Sequence, residues 1–249
     1  MPGALAGRVA VVTGAGLPVV RGIAAALGAA GASIALLGPS RDLESVGELE
    51  ARGVRVTGVE AELSRRAGAE AGFAAASDAL GAPVGVLVHG ALEPIALEPC
   101  DLVDHDDERW SLVWETTMRT AISCCQAAFG HMRDRGGRIV FVVPTSGLSG
   151  AVGFSSAAAA FEGERLLAKA LARQWGRHGI VVNCLVVSPD LVLHGASGVH
   201  ESLSNPALGS AGDPERDLGP IAVEMLGDAT HFLTGNTLVA DGGVRMGAP

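Results

Sequence analysis

Val9-Ala-Val-Val-Thr-Gly-Ala-Gly-Leu-Pro-Val-Val-Arg-Gly-Ile-Ala24 passes from an unbroken β-branched run, through a glycine turn, into an apolar helical pattern. A short run with no polar alternation reads as a strand buried on both faces, the environment of a parallel sheet and not of a half-exposed antiparallel one. Glycines directly after such a strand and before a helix make the setting in which backbone N–H groups at a helix N-terminus meet an anion. The opening unit is therefore one from which α/β domains are wound.

The same alternation continues outward. Ser33–Leu37, Val54–Val59, Val84–Val88, Arg138–Val143, Ile180–Val187 and Thr237–Ala240 read as further short strands, seven with Val9–Thr13. Val20–Ala30, Asp42–Arg52, Arg65–Leu80, Asp107–Arg133 and Phe154–Arg177 read as helices, the last two long. Gly195 to Gly219, rich in Gly, Ser and Pro, reads as an excursion from the sheet and not as a linker, so residues 1–249 make a single domain. A chain of 249 residues needs no disulfide or metal to support its core.

Lys and Arg number 18 against 27 Asp and Glu, a formal net charge of −9 that repels nucleic-acid backbones and anionic lipid. No apolar stretch approaches the roughly 18 residues of a membrane span. Cys100, Cys124, Cys125 and Cys184 include no CxxC pair, and the first residues carry no signal-peptide pattern. The expectation is a cytoplasmic protein without nucleic-acid or membrane partners. There is one lysine, Lys169, and no tyrosine, which excludes any mechanism built on a tyrosine hydroxyl.

Thr13-Gly-Ala-Gly-Leu-Pro-Val-Val-Arg-Gly-Ile-Ala24, Gly136-Gly-Arg-Ile-Val140, Gly179-Ile-Val-Val-Asn183 and Phe232-Leu-Thr-Gly-Asn-Thr-Leu-Val-Ala-Asp-Gly-Gly243 give the chain a resemblance, over nearly its whole length, to the short-chain dehydrogenase/reductase family. The resemblance implies a Rossmann-type doubly wound domain with a seven-stranded parallel sheet of order 3-2-1-4-5-6-7. It also implies subunits packed through the two long helices and the C-terminal strand, and NAD or NADP in active members. The final segment is similar to branches acting on 3-hydroxyacyl or 3-oxoacyl thioesters.

The functional positions depart from the family. Pro18 and Val20 stand where its second and third loop glycines belong; proline has no N–H and a fixed φ, and valine sets a branched side chain against the loop. Leu37 is followed by Gly38-Pro-Ser-Arg41 in place of a ribose-binding acid, and Arg41 reads as a solvated arginine opening a helix in preference to a partner for a 2′-phosphate. The family's NNAG is His89-Gly-Ala-Leu92, with His89 read as a space-filling histidine at a strand end. Thr13, Gly14, Gly16 and Glu62, the last aligned with the family's adenine-contacting Asp, remain as vestiges. No working cofactor site is expected in this chain.

The family's catalytic Asn, Ser, Tyr and Lys align with Thr117, Pro144, Ala157 and Phe161. The tyrosine, ordinarily titrating at about 10, exchanges a proton with the substrate oxygen once an adjacent ammonium lowers its pKa. A methyl group and a phenyl ring exchange none. Thr145 and Ser146 flank the serine position and offer hydroxyls, but Lys169 lies about 12 Å along the helix from position 161. No catalytic residue is expected. Nor is a metal: the acids of Asp104-His-Asp-Asp-Glu108 read as helix caps, and Cys124-Cys125 as small core hydrophobes.

These departures lead to an expected role as a catalytically silent subunit that assembles with an active homologous subunit, as heterodimer or heterotetramer, in an NAD- or NADP-dependent dehydrogenase/reductase. The face expected to dock carries Ala158, Leu171 and Trp175 beside Ala159, Ala160 and Gly163, against a partner's helix bearing Trp114 and Ile122. Two other readings stay open. One is a sensor that binds a nucleotide or thioester without turnover; the other is a homomeric enzyme using atypical groups such as His89 or His194.

Overall fold

A computed structural model describes residues 3–192 and 205–247. Seven strands, β1 (Val9–Thr13), β2 (Ser33–Gly38), β3 (Val56–Glu60), β4 (Val84–His89), β5 (Gly137–Pro144), β6 (Ile180–Val187) and β7 (Thr237–Ala240), form one parallel sheet. Their order is β3-β2-β1-β4-β5-β6-β7, as the resemblance implied. Side chains alternate across the pleat. Ala10, Val12, Ile34, Leu36, Val86 and Val88 share one core with Ile23 of α1 (Pro18–Ala29), whereas Val9, Val11, Ala35, Leu37 and Leu87 share the other with Phe73 of α3 (Arg66–Leu80). Because both faces are covered, nearly every residue of β1, β2, β4, β5 and β6 is buried, which is why these segments lack polar alternation in the sequence.

Three helical expectations need correction. Asp42 does not open a long helix: Ser40–Leu43 is a single 3-10 turn, and α2 is confined to Val46–Ala51. The reason is that the Asp42 side chain turns back toward the first loop. Asp107–Arg133 is three pieces, α4 (Asp107–Trp114), a π-helical turn over Glu115–Arg119 and α5 (Thr120–Met132). A short α6 (Ser146–Ser149) precedes the long α7 (Ser155–Trp175). The Gly/Ser/Pro-rich segment is described only from residue 205, and it ends in a π-helical turn, Pro214–Leu218, leading into α8 (Gly219–Leu226), a helix absent from the sequence reading. Among the described residues no helix is long and apolar enough to cross a membrane.

Candidate functional site

In an open parallel sheet the ligand crevice lies beyond the strand C-termini at the point where strand order reverses, here between β1 and β4. Gly14 follows β1 with φ +86, and a Cβ on it would come 2.4 Å from the Gly90 carbonyl oxygen, so the two loops meet backbone to backbone. Into this loop reaches a carboxylate of the same chain. Asp42 Oδ2 accepts from the Gly14 N–H at 3.1 Å and Oδ1 from the Gly16 N–H at 3.1 Å. The side chain is buried, and desolvation raises its pKa against the two amides and Arg41, which favour the charged form.

The other walls of the crevice are also occupied by the chain itself. Val20 packs onto Gly90, where a Cβ would meet Val20 Cγ2 at 2.6 Å. Arg41 is not solvated on its own: its guanidinium pairs with Glu93, 3.1 Å away in the segment after β4, joining two loops across the crevice. Glu62 is exposed and folds onto its own turn, accepting from the Ser64 N–H at 3.0 Å and the Ser64 hydroxyl at 2.7 Å, bonds that hold its carboxyl below the usual range. The family's dinucleotide does not fit these residues. The amides of Gly14 and Gly16 already have an acceptor, Pro18 offers no donor, and Val20 fills space a glycine would leave open.

The four positions that the sequence reading set against the catalytic tetrad lie on α7, at the end of β5 and in the π-helical turn. Ala157 and Phe161 are both buried on the sheet-facing side of α7, with Gly147 backed so closely onto Phe161 that an added Cβ would lie 2.9 Å from Phe161 Cβ. Pro144 ends β5, and Thr117 sits in the π-helical turn with its buried hydroxyl unpartnered. Thr145 is committed elsewhere: its Oγ1 lies 2.9 Å from Asp241 Oδ2 and 3.0 Å from the Val187 carbonyl oxygen. Asp241 in turn accepts from the Gly243 and Arg245 amides, pinning the last turn of the chain beneath β5 and β6. Ser146 Oγ is buried and has no partner.

A buried polar chain that the sequence did not announce runs behind this site. Thr13 Oγ1 lies 2.8 Å from His89 Nδ1, and His89 Nε2 faces Glu164 Oε1 of α7 at 3.5 Å, all three side chains inaccessible to solvent. His89 thus does more than fill space. Burial pushes the Glu164 carboxyl up, with His89 pulling it back. Glu164 was legible in one respect: Ala157, Ala160, Phe161, Ala168 and Leu171 form the apolar stripe of α7, and Glu164 falls on that stripe at helical spacing. His194 lies outside the described residues.

The acids before α4 and the paired cysteines take the places the sequence suggested, as caps and as core residues. Asp106 caps α4 by accepting from the Arg109 N–H at 2.7 Å, and Asp101 caps the turn before it. Cys124 and Cys125 are fully buried, and desolvation raises both thiol pKa values, so neither is a reactive thiolate. Among the described residues no three His, Cys, Asp or Glu side chains group as metal ligands.

The docking face needs redrawing. Ala160 is fully buried and Leu171 nearly so, because α7 turns that side onto its own sheet, and Trp175 stacks on Phe129 at 4.9 Å between ring centroids. Ala159 is exposed as expected, and the large apolar side chains that α4, α5 and α7 expose are Trp110, Leu112, Trp114, Ile122 and Leu166. Trp114, Met118 and Ile122 line a groove of about 730 Å³ against Arg65 and Arg66. On the other flank Phe232 is 94% exposed, and Leu238 of β7 stands partly clear.

A family model described as enoyl-(acyl carrier protein) reductase matches residues 18–245. The chain is 30% identical over 248 residues to the acetoacetyl-CoA reductase of Rhizobium meliloti, covering 95% of this chain and 98% of that one. It is 29% identical to (2S)-((R)-hydroxy(phenyl)methyl)succinyl-CoA dehydrogenase subunit BbsD of Thauera aromatica, covering 95% and 96% of the two chains. Among solved structures, a Sinorhizobium meliloti 1021 chain assigned as a short-chain alcohol dehydrogenase superposes with a TM-score of 0.83 at 27% identity, covering 98% of each chain. With that sheet order, a family model matching residues 18–245 and a relative 30% identical over nearly the whole of both chains, the chain belongs to the short-chain dehydrogenase/reductase family.

Proposed function

We propose that this chain is a catalytically silent subunit that assembles with an active homologous short-chain dehydrogenase/reductase, the partner supplying the proton-transfer residues and the bound NAD or NADP. The observation that carries this reading is the pair Ala157 and Phe161, buried where the family keeps its acid and its ammonium. Neither side chain moves a proton, and the described hydroxyl and imidazole considered in their place are engaged elsewhere: Thr145 is held by Asp241, and His89 lies between Thr13 and Glu164. What this chain's residues do contribute is a crevice whose first loop is filled by Asp42 and two apolar flanks, Trp114, Ile122 and Leu166 on one side and Phe232 with Leu238 on the other. Patches of this kind mark interaction surfaces. The substrate class of the assembly is a 3-hydroxyacyl or 3-oxoacyl thioester, supported by relatives named for CoA-thioester oxidoreduction, one of them named as a subunit.

The test is co-expression with active homologues from the same genome, followed by native mass spectrometry and thioester assays with NAD and NADP. The expected result is a stable heteromer that turns over, beside an isolated chain that does not. Turnover by the isolated wild-type chain, or a strictly homomeric chain whose active homologue works fully without it, overturns the proposal; the second outcome together with saturable nucleotide or thioester binding would make the chain a sensor.

A further inference from the structure

The glycines that survive in the first loop have an occupant. Gly14 and Gly16 point their N–H groups at one carboxylate, and the geometry around it is built for that group. A Cβ on Gly38 would lie 2.3 Å from Asp42 Oδ2, and one on Gly16 would lie 2.8 Å from Oδ1. Glycine at both positions therefore makes the room in which the carboxylate sits. The 3-10 turn Ser40–Leu43 supplies the reach: it places Asp42 over the loop in place of continuing into α2, and Arg41 is tied back to Glu93 beside it.

We propose that Asp42 is the resident ligand of this oxyanion site, an intramolecular carboxylate standing where a nucleotide phosphate oxygen would otherwise be received, and that the site accepts a free phosphate-class oxyanion once Asp42 is removed. This rests on the reading of the chain as a subunit without a dinucleotide of its own. Two convergent backbone amides in the turn between β1 and α1 form a concavity that attracts an oxyanion. An anion carried on the chain itself competes at a fixed, high effective concentration against one that must be bound from solution, and its charge also repels a second anion. The carboxylate thus uses three glycines, Gly14 and Gly16 of the loop itself and Gly38 at the end of β2.

The test uses inorganic pyrophosphate as probe, titrated into the wild-type chain and into Asp42→Ala by calorimetry, with the Gly14 and Gly16 amides followed by NMR. Wild type is expected to show no saturable binding. Asp42→Ala is expected to bind, gaining about tenfold or more in affinity, with the shifts centred on Gly14 and Gly16. A second measurement needs only the wild-type chain. Its Gly14 and Gly16 N–H resonances should move with the Asp42 carboxyl as pH is varied, above the ordinary aspartate range, because burial opposes ionisation while Arg41 and the amides only partly offset it and Glu93 adds to it. A folded Asp42→Ala that ignores pyrophosphate, a wild type that binds it equally well, or loop amides that do not follow Asp42 would each overturn the assignment; if Asp42→Ala fails to fold, the wild-type titration decides. Failure to find a heteromeric partner would remove the subunit reading and leave these loop measurements standing, so the two fail separately.

Discussion

Val20 Cγ2 lies 2.6 Å from the point where a Cβ on Gly90 would stand. The side chain that replaced a loop glycine is thus packed directly against the residue after β4, and the two positions are energetically one. Gly90→Ala is expected to destabilise the chain by about 1–3 kcal/mol through overpacking. The same change in a Val20→Ala background should cost clearly less. A double-mutant cycle from denaturant unfolding measures the coupling; additive costs would show that the contact is slack.

Ala160 and Leu166 separate folding from assembly on one helix. Ala160→Arg forces an unpaired guanidinium into a fully buried position and should cost on the order of 4 kcal/mol, leaving little folded monomer. Leu166 is 59% exposed, so Leu166→Arg should leave monomer stability within about 0.5 kcal/mol while abolishing association with the partner. Circular dichroism melts and size-exclusion chromatography of both variants check the pair of outcomes.

Glu164 sets a pH dependence whose sign is opposite to that of a surface carboxylate. Its folded pKa is raised above the ordinary 4.5 by burial, against the pull of His89. The stability it confers is fully present below the unfolded value and is lost as pH rises through the folded one. Melting temperature should therefore fall across that window, and Glu164→Gln should flatten the limb. An unchanged profile in the variant would place the titration elsewhere than at Glu164.

Thr145 holds the end of the chain through Asp241. Thr145→Val keeps the shape and removes the hydroxyl, leaving the buried Asp241 oxygen with only the Arg245 amide. The expected cost is about 1–3 kcal/mol, read by denaturant unfolding, together with faster hydrogen exchange at the Gly243 and Arg245 amides.

The strands and their order were legible because burial on both faces suppresses polar alternation, leaving short apolar runs in β1, β2, β4, β5 and β6. The π-helical turn at Glu115–Arg119 was not, since no proline or glycine marks it. Asp42 looked like an acid in the first turn of a helix, an ordinary place for one. That its carboxylate goes to Gly14 and Gly16 depends on the approach of loops 26 and 28 positions away, which no local pattern encodes. Gly38 was the available signal: a glycine where the strand ends, whose φ of +154 and close approach to Asp42 both require the absence of a side chain. Spacing alone put Ala157 and Phe161 on one face of a helix, but that this face is buried, and that Ala160 is buried with it, needed the fold.

The self-filled loop also changes what the protein's persistence responds to. A fold that receives its anion from solution gains stability in proportion to the logarithm of ligand supply, and it loosens when that supply falls. Here the carboxylate travels with the backbone, so dilution or dialysis cannot strip it, and the first loop stays organised at any nucleotide concentration. If Asp42 is the loop's resident ligand as proposed, the abundance of the folded chain is uncoupled from the supply of nucleotide.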